Sequence, residues 1–254
     1  MASNFGKTIQ VSTFGASHGY AIGGIVEGLP CGHTIDIDEL QAFLKRRAPG
    51  QNQLQTQRKE ADIPEFLSGM VEGMLSGSPL AFMIRNTSQH SGDYNNLRDI
   101  PRPSHADFTA RMRYGDKVDM RGGGHFSARL TAPLCVAGGI AIQLLREKGI
   151  EIHGHLKQVG TIQDTPIDMV HPDMKALSEI ATEPIAMVDA DKRSEVENLV
   201  MKLKKDGDST GGIVEVVATG LPIGLGNPNF DGIENRLARV IFGVPAIKGV
   251  SFGG

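Results

Sequence analysis

The sequence has little of several features that mark particular protein classes. It has no tryptophan, two cysteines, and aromatic residues make up only 5% of its 254 residues. No apolar run approaches the ~20 residues that span a bilayer, and the N-terminal segment lacks the apolar core of a signal peptide. The net charge is −3, so no basic excess is available for wrapping nucleic acid. These absences predict an ordinary globular protein of the cytoplasm, with no nucleic-acid or membrane partner.

The pattern of cysteine and histidine excludes several kinds of site. Cys31 and Cys135 lie far apart and neither belongs to a CxxC pair. We therefore expect both to be reduced core residues. The histidines lack HxxxH and HExxH spacing, so no metal site is predicted. No GxSxG segment is present and neither cysteine has a neighbouring base, which argues against acyl transfer.

Periodicity predicts both strands and helices. Alternation and β-branching predict a strand over Thr8–Phe14 and a second one ending at Pro30. Asp36 is a candidate N-cap with Glu39 three residues later, and Pro49 marks the end of the helix that follows. Six further elements are predicted: two strands around a turn within 66–86, the longest helix over 127–148, an amphipathic helix over 191–206, and a strand from 211 followed by a short helix after 231.

One internal similarity suggests a duplication. "GGIVEGLP" begins at Gly23 and "GGIVEVVATGLP" begins at Gly211, and each predicts a strand, a loop and a helix with a basic end. The shared order of elements favours an ancient duplication whose second copy begins near 211. The second copy would then extend past residue 254, so the sequence predicts one α+β domain over 1–254 that is C-terminally incomplete.

Glycine is the abundant residue, with 32 copies, about twice the ordinary ~7% share. Three of them stand together in "MRGGGHFSARL", which begins at Met120. A glycine-rich turn that leads into a helix can present free N–H groups to an anion. The segment matches neither GxGxxG nor Walker A, so we predict an anion or ring contacting the backbone rather than a Rossmann site or P-loop.

Three histidines stand in turns marked by glycine or proline: His18, His105 and His125. Each has a serine or arginine close by in sequence, which indicates a shared pocket. Arg47 ends the first predicted helix, and Arg129 follows the glycine triplet. Arginine binds phosphate and carboxylate in a bidentate manner, but a helix-terminal arginine can equally interact with the helix dipole. These residue types favour a pocket for a small anionic ligand.

Six segments together resemble chorismate synthases, in order along the whole chain: "STFGASHG", "RRAPG", "TQRKEAD", "SGDYNNLRDIPRPSHADFTARMRYG", "DMRGGGHFSARLTAP" and "PAIKGVSFG". The resemblance implies a trans-1,4-elimination of phosphate from 5-enolpyruvylshikimate-3-phosphate, giving chorismate for aromatic amino-acid biosynthesis. It implies dependence on reduced FMN without net redox change, with NADPH as a possible reductant. It also implies a helical layer between mainly antiparallel sheets, and a homotetramer in the complete protein.

The resemblance also implies site residues. His18 and His105 correspond to catalytic positions, His18 near the departing phosphate and His105 near the flavin ring. Positions for binding substrate or NADP correspond to Ser17, Arg47, Gln53, Ser127 and Arg129. Positions for binding the flavin correspond to His125, Phe126, Ser127, Pro245 and Ala246.

Three departures from the family pattern set limits on this expectation. Ala16 replaces a glutamate usual before Ser17, and Gln53 stands where many members have arginine. The family's C-terminal segments, one of which carries an aspartate expected to act as base, have no counterpart. We therefore expect the 254-residue chain alone to be inactive. The alternative is a non-catalytic fragment that binds flavin or an anion.

Overall fold

A computed structural model describes residues 3–50, 60–87 and 100–253. The chain divides into two compact units, which we describe separately. The first unit comprises residues 1–48, 59–144 and 223–254, and the second comprises residues 49–58 and 145–222. The fold is α+β with antiparallel sheets, as the sequence predicts. The single-domain assignment over 1–254 stays a prediction.

The first unit is built on a five-stranded antiparallel sheet in the order β1-β2-β3-β7-β4. Its strands are β1 (Asn4–Gly6), β2 (Gln10–Gly15), β3 (Ala21–Glu27), β4 (Glu65–Ser68) and β7 (Leu80–Arg85). A separate two-stranded hairpin consists of β5 (Met70–Val71) and β6 (Met74–Leu75). The prediction of two strands within 66–86 was therefore wrong: glycine turns at Gly69, Gly73 and Gly77 divide this segment into four strands.

The helices of the first unit are α1 (Ile37–Arg47), α2 (Asp107–Tyr114), α3 (Thr131–Arg146, to Leu144 in this unit) and α6 (Ile233–Ile241). Two short 3-10 helices, Arg121–Phe126 and Ala128–Leu130, precede α3. The predicted capping of α1 is confirmed, because Asp36 Oδ1 accepts the Glu39 N–H at 2.9 Å. The predicted helix over 127–148 is shorter than expected, since Ser127 caps only the 3-10 turn.

The core of the first unit lies where α1 and α3 meet one face of the sheet. Every second residue of β7 is buried, as expected for a strand with one covered face. Leu40 and Leu44 of α1 belong to the same cluster as Val136 and Ile140 of α3. Contrary to the expectation from the sequence, the stretch from Ala128 to Arg146 is long and apolar enough to cross a membrane, although core helices of soluble proteins pass the same test. Its buried residues pack in this core.

The second unit holds a three-stranded sheet in the order β10-β8-β9. Its elements are β8 (Glu151–Val159), β9 (Ile162–Gln163), α4 (Met174–Ile180), α5 (Ala190–Asp206) and β10 (Gly212–Thr219). At 17 residues, α5 is the longest α-helix in the described chain. The sequence had predicted that the longest helix would be the one over 127–148. Ile185, Met187 and Val196 form the unit's small apolar core.

Both segments of the proposed duplication form a strand followed by a helix, β3 with α1 and β10 with α6. The order of elements agrees with the sequence pattern, and the duplication itself stays a prediction. The two cysteines are free. Cys135 is half-buried, but Cys31 is exposed, so its assignment to the core was wrong.

Candidate functional site

The glycine triplet forms a tight turn that only glycine adopts readily. Gly122, Gly123 and Gly124 have φ of 58°, 90° and 55°, in the left-handed region. A Cβ built on Gly122 would lie 1.9 Å from His18 Nδ1, and one on Gly123 would lie 3.0 Å from His105 Nε2. The glycines therefore serve a further purpose besides the turn, because two imidazole rings approach their α-carbons where any side chain would stand.

His18 lies in a buried turn that directly follows β2. The Ser17 N–H donates to Gly124 O at 3.0 Å, which joins this turn to the glycine turn. The Gly19 N–H closes the turn by donating to Ala16 O at 3.0 Å. His18 is only 7% exposed. Its ring is therefore held against Gly122 in a mostly dry setting.

His105 approaches the same turn from the other side and has a carboxylate partner. Its Nδ1 lies 2.6 Å from Asp107 Oδ1, at the first turn of α2. Arg102 donates to both oxygens of Asp107, through Nε at 2.8 Å and Nη2 at 2.9 Å. The Arg102 hydrogen bonds hold the pKa of the Asp107 carboxyl well below its usual range, against the opposing effect of burial. An ionised Asp107 therefore fixes His105 with Nε2 toward Gly123.

A second carboxylate, Asp119, lies near His18. Arg121 donates to it through Nε at 2.9 Å and Nη2 at 2.8 Å. These hydrogen bonds hold the pKa of Asp119 below its ordinary value, and the charge on His18 acts in the same direction. Arg121 is thus engaged by Asp119.

The two arginines that the sequence assigned to substrate binding meet at one buried carboxylate. Asp62 is 2% exposed and accepts from Arg47 Nη1 on one oxygen and from Arg129 Nη1 on the other. Arg129 is 5% exposed, and its Nη2 lies 4.0 Å from Glu60 Oε2 without a hydrogen bond to any described residue. Two carboxylates, Asp62 and Glu60, therefore face the two guanidiniums, while Arg129 Nη2 keeps a donor that no described residue accepts.

His125 points away from the two converging histidines. Its Nδ1 lies 2.8 Å from Gly15 O and its Nε2 lies 2.6 Å from Ser3 Oγ. Because a carbonyl only accepts, Nδ1 carries the proton and Nε2 accepts from the serine hydroxyl. His125 also lines an open cleft of about 570 Å³ together with the exposed ring of Phe14. The ring of the following residue, Phe126, lies 6.4 Å from the Tyr114 ring.

The remaining predicted residues lie in different places. Ser127 is half-buried, and its Cβ is 3.3 Å from a Cβ built on Gly123. Pro245 and Ala246 are exposed in the turn after α6, and Ala246 has a φ of 69°. Gln53 lies outside the described residues.

Sequence reasoning missed the residues that fix the predicted ones. Four carboxylates and amides hold the histidines and arginines in place: Asp62, Asn86, Asp107 and Asp119. A signal existed for Asp107, which stands two residues after His105, and for Asp62, which belongs to the "TQRKEAD" segment. Nothing in the sequence signals Asn86, because it meets its partners only through the sheet.

The arrangement brings together two imidazoles and two guanidiniums within the first unit. Imidazoles can donate or accept a proton near neutral pH, and arginines bind phosphate and carboxylate oxygens. No cluster of three or more metal-binding side chains occurs among the described residues. The site therefore suits proton transfer to a small, multiply charged anion.

Comparisons with known proteins agree with this chemistry. The family profile described as chorismate synthase matches residues 9–254. Chorismate synthase of Lancefieldella parvula is 43% identical over 264 residues, which cover 100% of this chain and 69% of that protein. That of Ralstonia pickettii is 44% identical over 252 residues, covering 99% of this chain and 66% of that protein.

A solved structure titled "Crystal Structure of Chorismate Synthase" has a TM-score of 0.72 and 25% identity, over 96% of this chain and 68% of that chain. This chain spans about two thirds of the length of the relatives that it matches. The profile match and the identity over the whole chain together show that this chain belongs to the chorismate synthase family.

Proposed function

We propose that this chain supplies the histidine and arginine groups for the elimination of phosphate from 5-enolpyruvylshikimate-3-phosphate, giving chorismate. The observation that carries the proposal is the convergence of His18 and His105 on Gly122 and Gly123. In the reaction, a C–H bond and the C–O bond to phosphate break, and a new C=C bond forms. The products are chorismate, inorganic phosphate and a proton.

His18 has the properties required near a departing phosphate. A phosphate that leaves as an anion needs a proton or cationic stabilisation, and an imidazolium supplies both. The burial of His18 strengthens its interaction with an anion, because water screens it less. The charge on His18 contributes to the lowered pKa of the nearby Asp119, so the two groups interact electrostatically. We assign His18 the role of protonating or stabilising the phosphate oxygen.

Arg47, Arg129, Ser17 and Ser127 are proposed to bind the substrate's phosphate and carboxylates, or NADP. Arg47 is the more accessible arginine, with 22% of its side chain exposed against 4% for Arg129. The buried Nη2 of Arg129 has donor capacity left over. Asp62 holds both guanidiniums in place before the substrate arrives, which lowers the entropy lost on binding.

The residues around the glycine turn fit a flat cofactor such as FMN. The 570 Å³ cleft lined by His125 and Phe14, next to the glycine turn, is within the usual size of ligand pockets. His105, His125, Phe126 and Ser127 would hold the group, together with Pro245 and Ala246. When bound, reduced FMN supplies electron density to the substrate with no net redox change.

Several finer points are proposed on the family resemblance. These are NADPH as the reductant of the flavin, a homotetramer, a cytoplasmic location, and a helical layer between sheets with a second repeat beginning near 211. If any one of these points failed, the proposed reaction and the proposed site residues would be unaffected.

An anaerobic assay with reduced FMN and 5-enolpyruvylshikimate-3-phosphate tests the proposal by following chorismate absorbance. The assay compares this chain alone with the chain joined to the last third of the Lancefieldella parvula protein. We expect sustained turnover in the joined form. Phosphate release without chorismate, or binding of FMN and substrate with no turnover in either form, would favour the non-catalytic alternative.

A further inference from the structure

Asn86 directly follows β7 and contacts both ends of the His18 turn. Its Nδ2 donates to Gly19 O at 2.8 Å and to Ala16 O at 3.1 Å. Its backbone N–H donates to Tyr20 O at 3.2 Å. Asn86 is 7% exposed, so these bonds lie largely out of water. One side chain therefore closes the turn from the residue before Ser17 to the residue after His18.

The orientation of the Asn86 amide is determined by Arg129. Arg129 Nε donates to Asn86 Oδ1 at 3.3 Å. A guanidinium has no acceptor, so the amide oxygen must face Arg129 and the NH2 group must face the two carbonyls. A flipped amide would present an oxygen to two carbonyl oxygens and an NH2 group to a cation. Only one orientation of Asn86 satisfies its neighbours.

Arg129 is in turn held by Asp62. Asp62 accepts from Arg129 on one oxygen and from Arg47, at the end of α1, on the other. The side chains of Asp62 and Arg129 are 0% and 4% exposed. A continuous series of buried and partly buried hydrogen bonds therefore runs from Arg47 through Asp62, Arg129 and Asn86 to the turn that carries His18.

We propose that Asn86 is a positioning residue that holds the Ala16–Gly19 turn, and with it the His18 ring, against the glycine turn. Its role in catalysis rests on the proposed function of His18. Asp62 and Arg129 set the orientation of Asn86, so the groups that bind the substrate's anions and the group that acts on the phosphate share one support. A small displacement of His18 would lower the rate without removing the anion-binding groups.

The substitution Asn86→Asp tests the positioning role with little change in size. It keeps an oxygen to accept from Arg129 but replaces the donating NH2 group with a second oxygen. Asn198→Asp is the matched control, since Asn198 is exposed on α5 and the change adds the same charge. Amide hydrogen exchange, followed by NMR on the 254-residue chain, reports on the turn through the N–H groups of Ser17 and Gly19.

We expect Asn86→Asp to speed exchange at Ser17 and Gly19 by about tenfold or more, with exchange in β8 and α5 unchanged. Asn198→Asp should leave both amides as in the wild type. In the joined form that turns over, Asn86→Asp should lower kcat by about tenfold or more and change KM for the substrate by less than about threefold.

Unchanged exchange at Ser17 and Gly19 in a folded Asn86→Asp chain would overturn the positioning role. Faster exchange with an unchanged kcat would overturn its catalytic part. If Asn86→Asp does not fold, Asn86→Ser is measured in the same way, because a hydroxyl cannot reach both carbonyls. Unfolding of both variants would also count against the proposal, since it would make Asn86 a general structural residue. A lack of turnover in the wild type contradicts the proposed function, whereas the exchange data decide this inference independently.

Discussion

The imidazole of His18 lies where a side chain at Gly122 would begin, since a Cβ on Gly122 would be 1.9 Å from Nδ1 and 2.0 Å from Cε1. No rearrangement of a long flexible side chain can relieve this overlap, because His18 is buried in its own hydrogen-bonded turn. The catalytic assignment of His18 and the presence of glycine at position 122 are therefore linked.

Gly122→Ala should displace His18, and Gly207→Ala provides the matched control. Gly207 is also left-handed, with φ of 68° and ψ of 26°, but a Cβ there would meet nothing within 4 Å. Both variants lose roughly 1–2 kcal/mol through the left-handed backbone. Thermal unfolding should show a larger loss for Gly122→Ala, and the NMR signals of His18 should shift only in that variant. Equal losses and unshifted His18 signals would contradict the close approach.

His18→Ala and His105→Ala should each lower kcat by about 10²–10⁴ in the form that turns over, the usual range for a lost general acid or base. The measurement is steady-state chorismate formation under anaerobic conditions. His171→Ala is the control, because His171 is exposed in the second unit. Full rates with unchanged KM in both site variants would refute the role assignment.

Asp107→Asn should destabilise the chain in a pH-dependent way. The pKa of Asp107 is lowered in the folded state by its hydrogen bonds from Arg102, so its stabilising effect is fully present above the unfolded-state pKa of ~3.9 and is lost as pH falls below it. We expect the variant to be about 2 kcal/mol less stable near neutral pH, and this difference to shrink below about pH 4. Urea unfolding at several pH values measures it, and a pH-independent difference would contradict the assignment.

Ala16→Glu should change the titration of His18. A carboxylate placed in the Ala16–Gly19 turn favours the imidazolium form, so the midpoint should rise. Histidine C–H signals followed by NMR give the midpoint. Identical titration curves would make position 16 neutral for His18.

His155→Gln should destabilise the second unit. His155 is 2% exposed, with Nδ1 2.8 Å from Asp164 Oδ2 and Nε2 3.1 Å from Glu215 Oε2. Burial would raise the pKa of Asp164, but hydrogen bonds from Asp189, Val188 and His155 outweigh it and lower that pKa. Removing the ring leaves two carboxylates without their shared partner, at a cost of about 2–4 kcal/mol.

The matched control for this change is His171→Gln, which alters an exposed side chain in the same unit and should stay within ~0.5 kcal/mol. Chemical denaturation with a probe in the second unit compares the two. A loss below 1 kcal/mol for His155→Gln would indicate that water replaces the ring.

Local sequence determined much of the secondary structure. The N-cap at Asp36, the alternation along β2 and β3, and the amphipathic pattern of α5 depend on residues within a few positions of one another, and all were predicted. The secondary-structure predictions that were wrong also concerned short local segments. Periodicity did not separate the 3-10 turn after Ser127 from α3, and it did not reveal the short strands β5 and β6, which are only two residues long.

The histidine and arginine positions were readable because their segments resemble a known family, but their supports were not. Asp62 and Asn86 approach Arg129 from 67 and 43 positions away along the chain, and Ser3 reaches His125 across 122 positions. Such contacts depend on how the sheet places the ends of β2 and β7 beside the glycine turn. The sequence alone determined which groups can carry charge and protons. The tertiary structure decided which carboxylate or amide orients each of them, because a hydrogen bond depends on distance and direction, which sequence spacing does not encode.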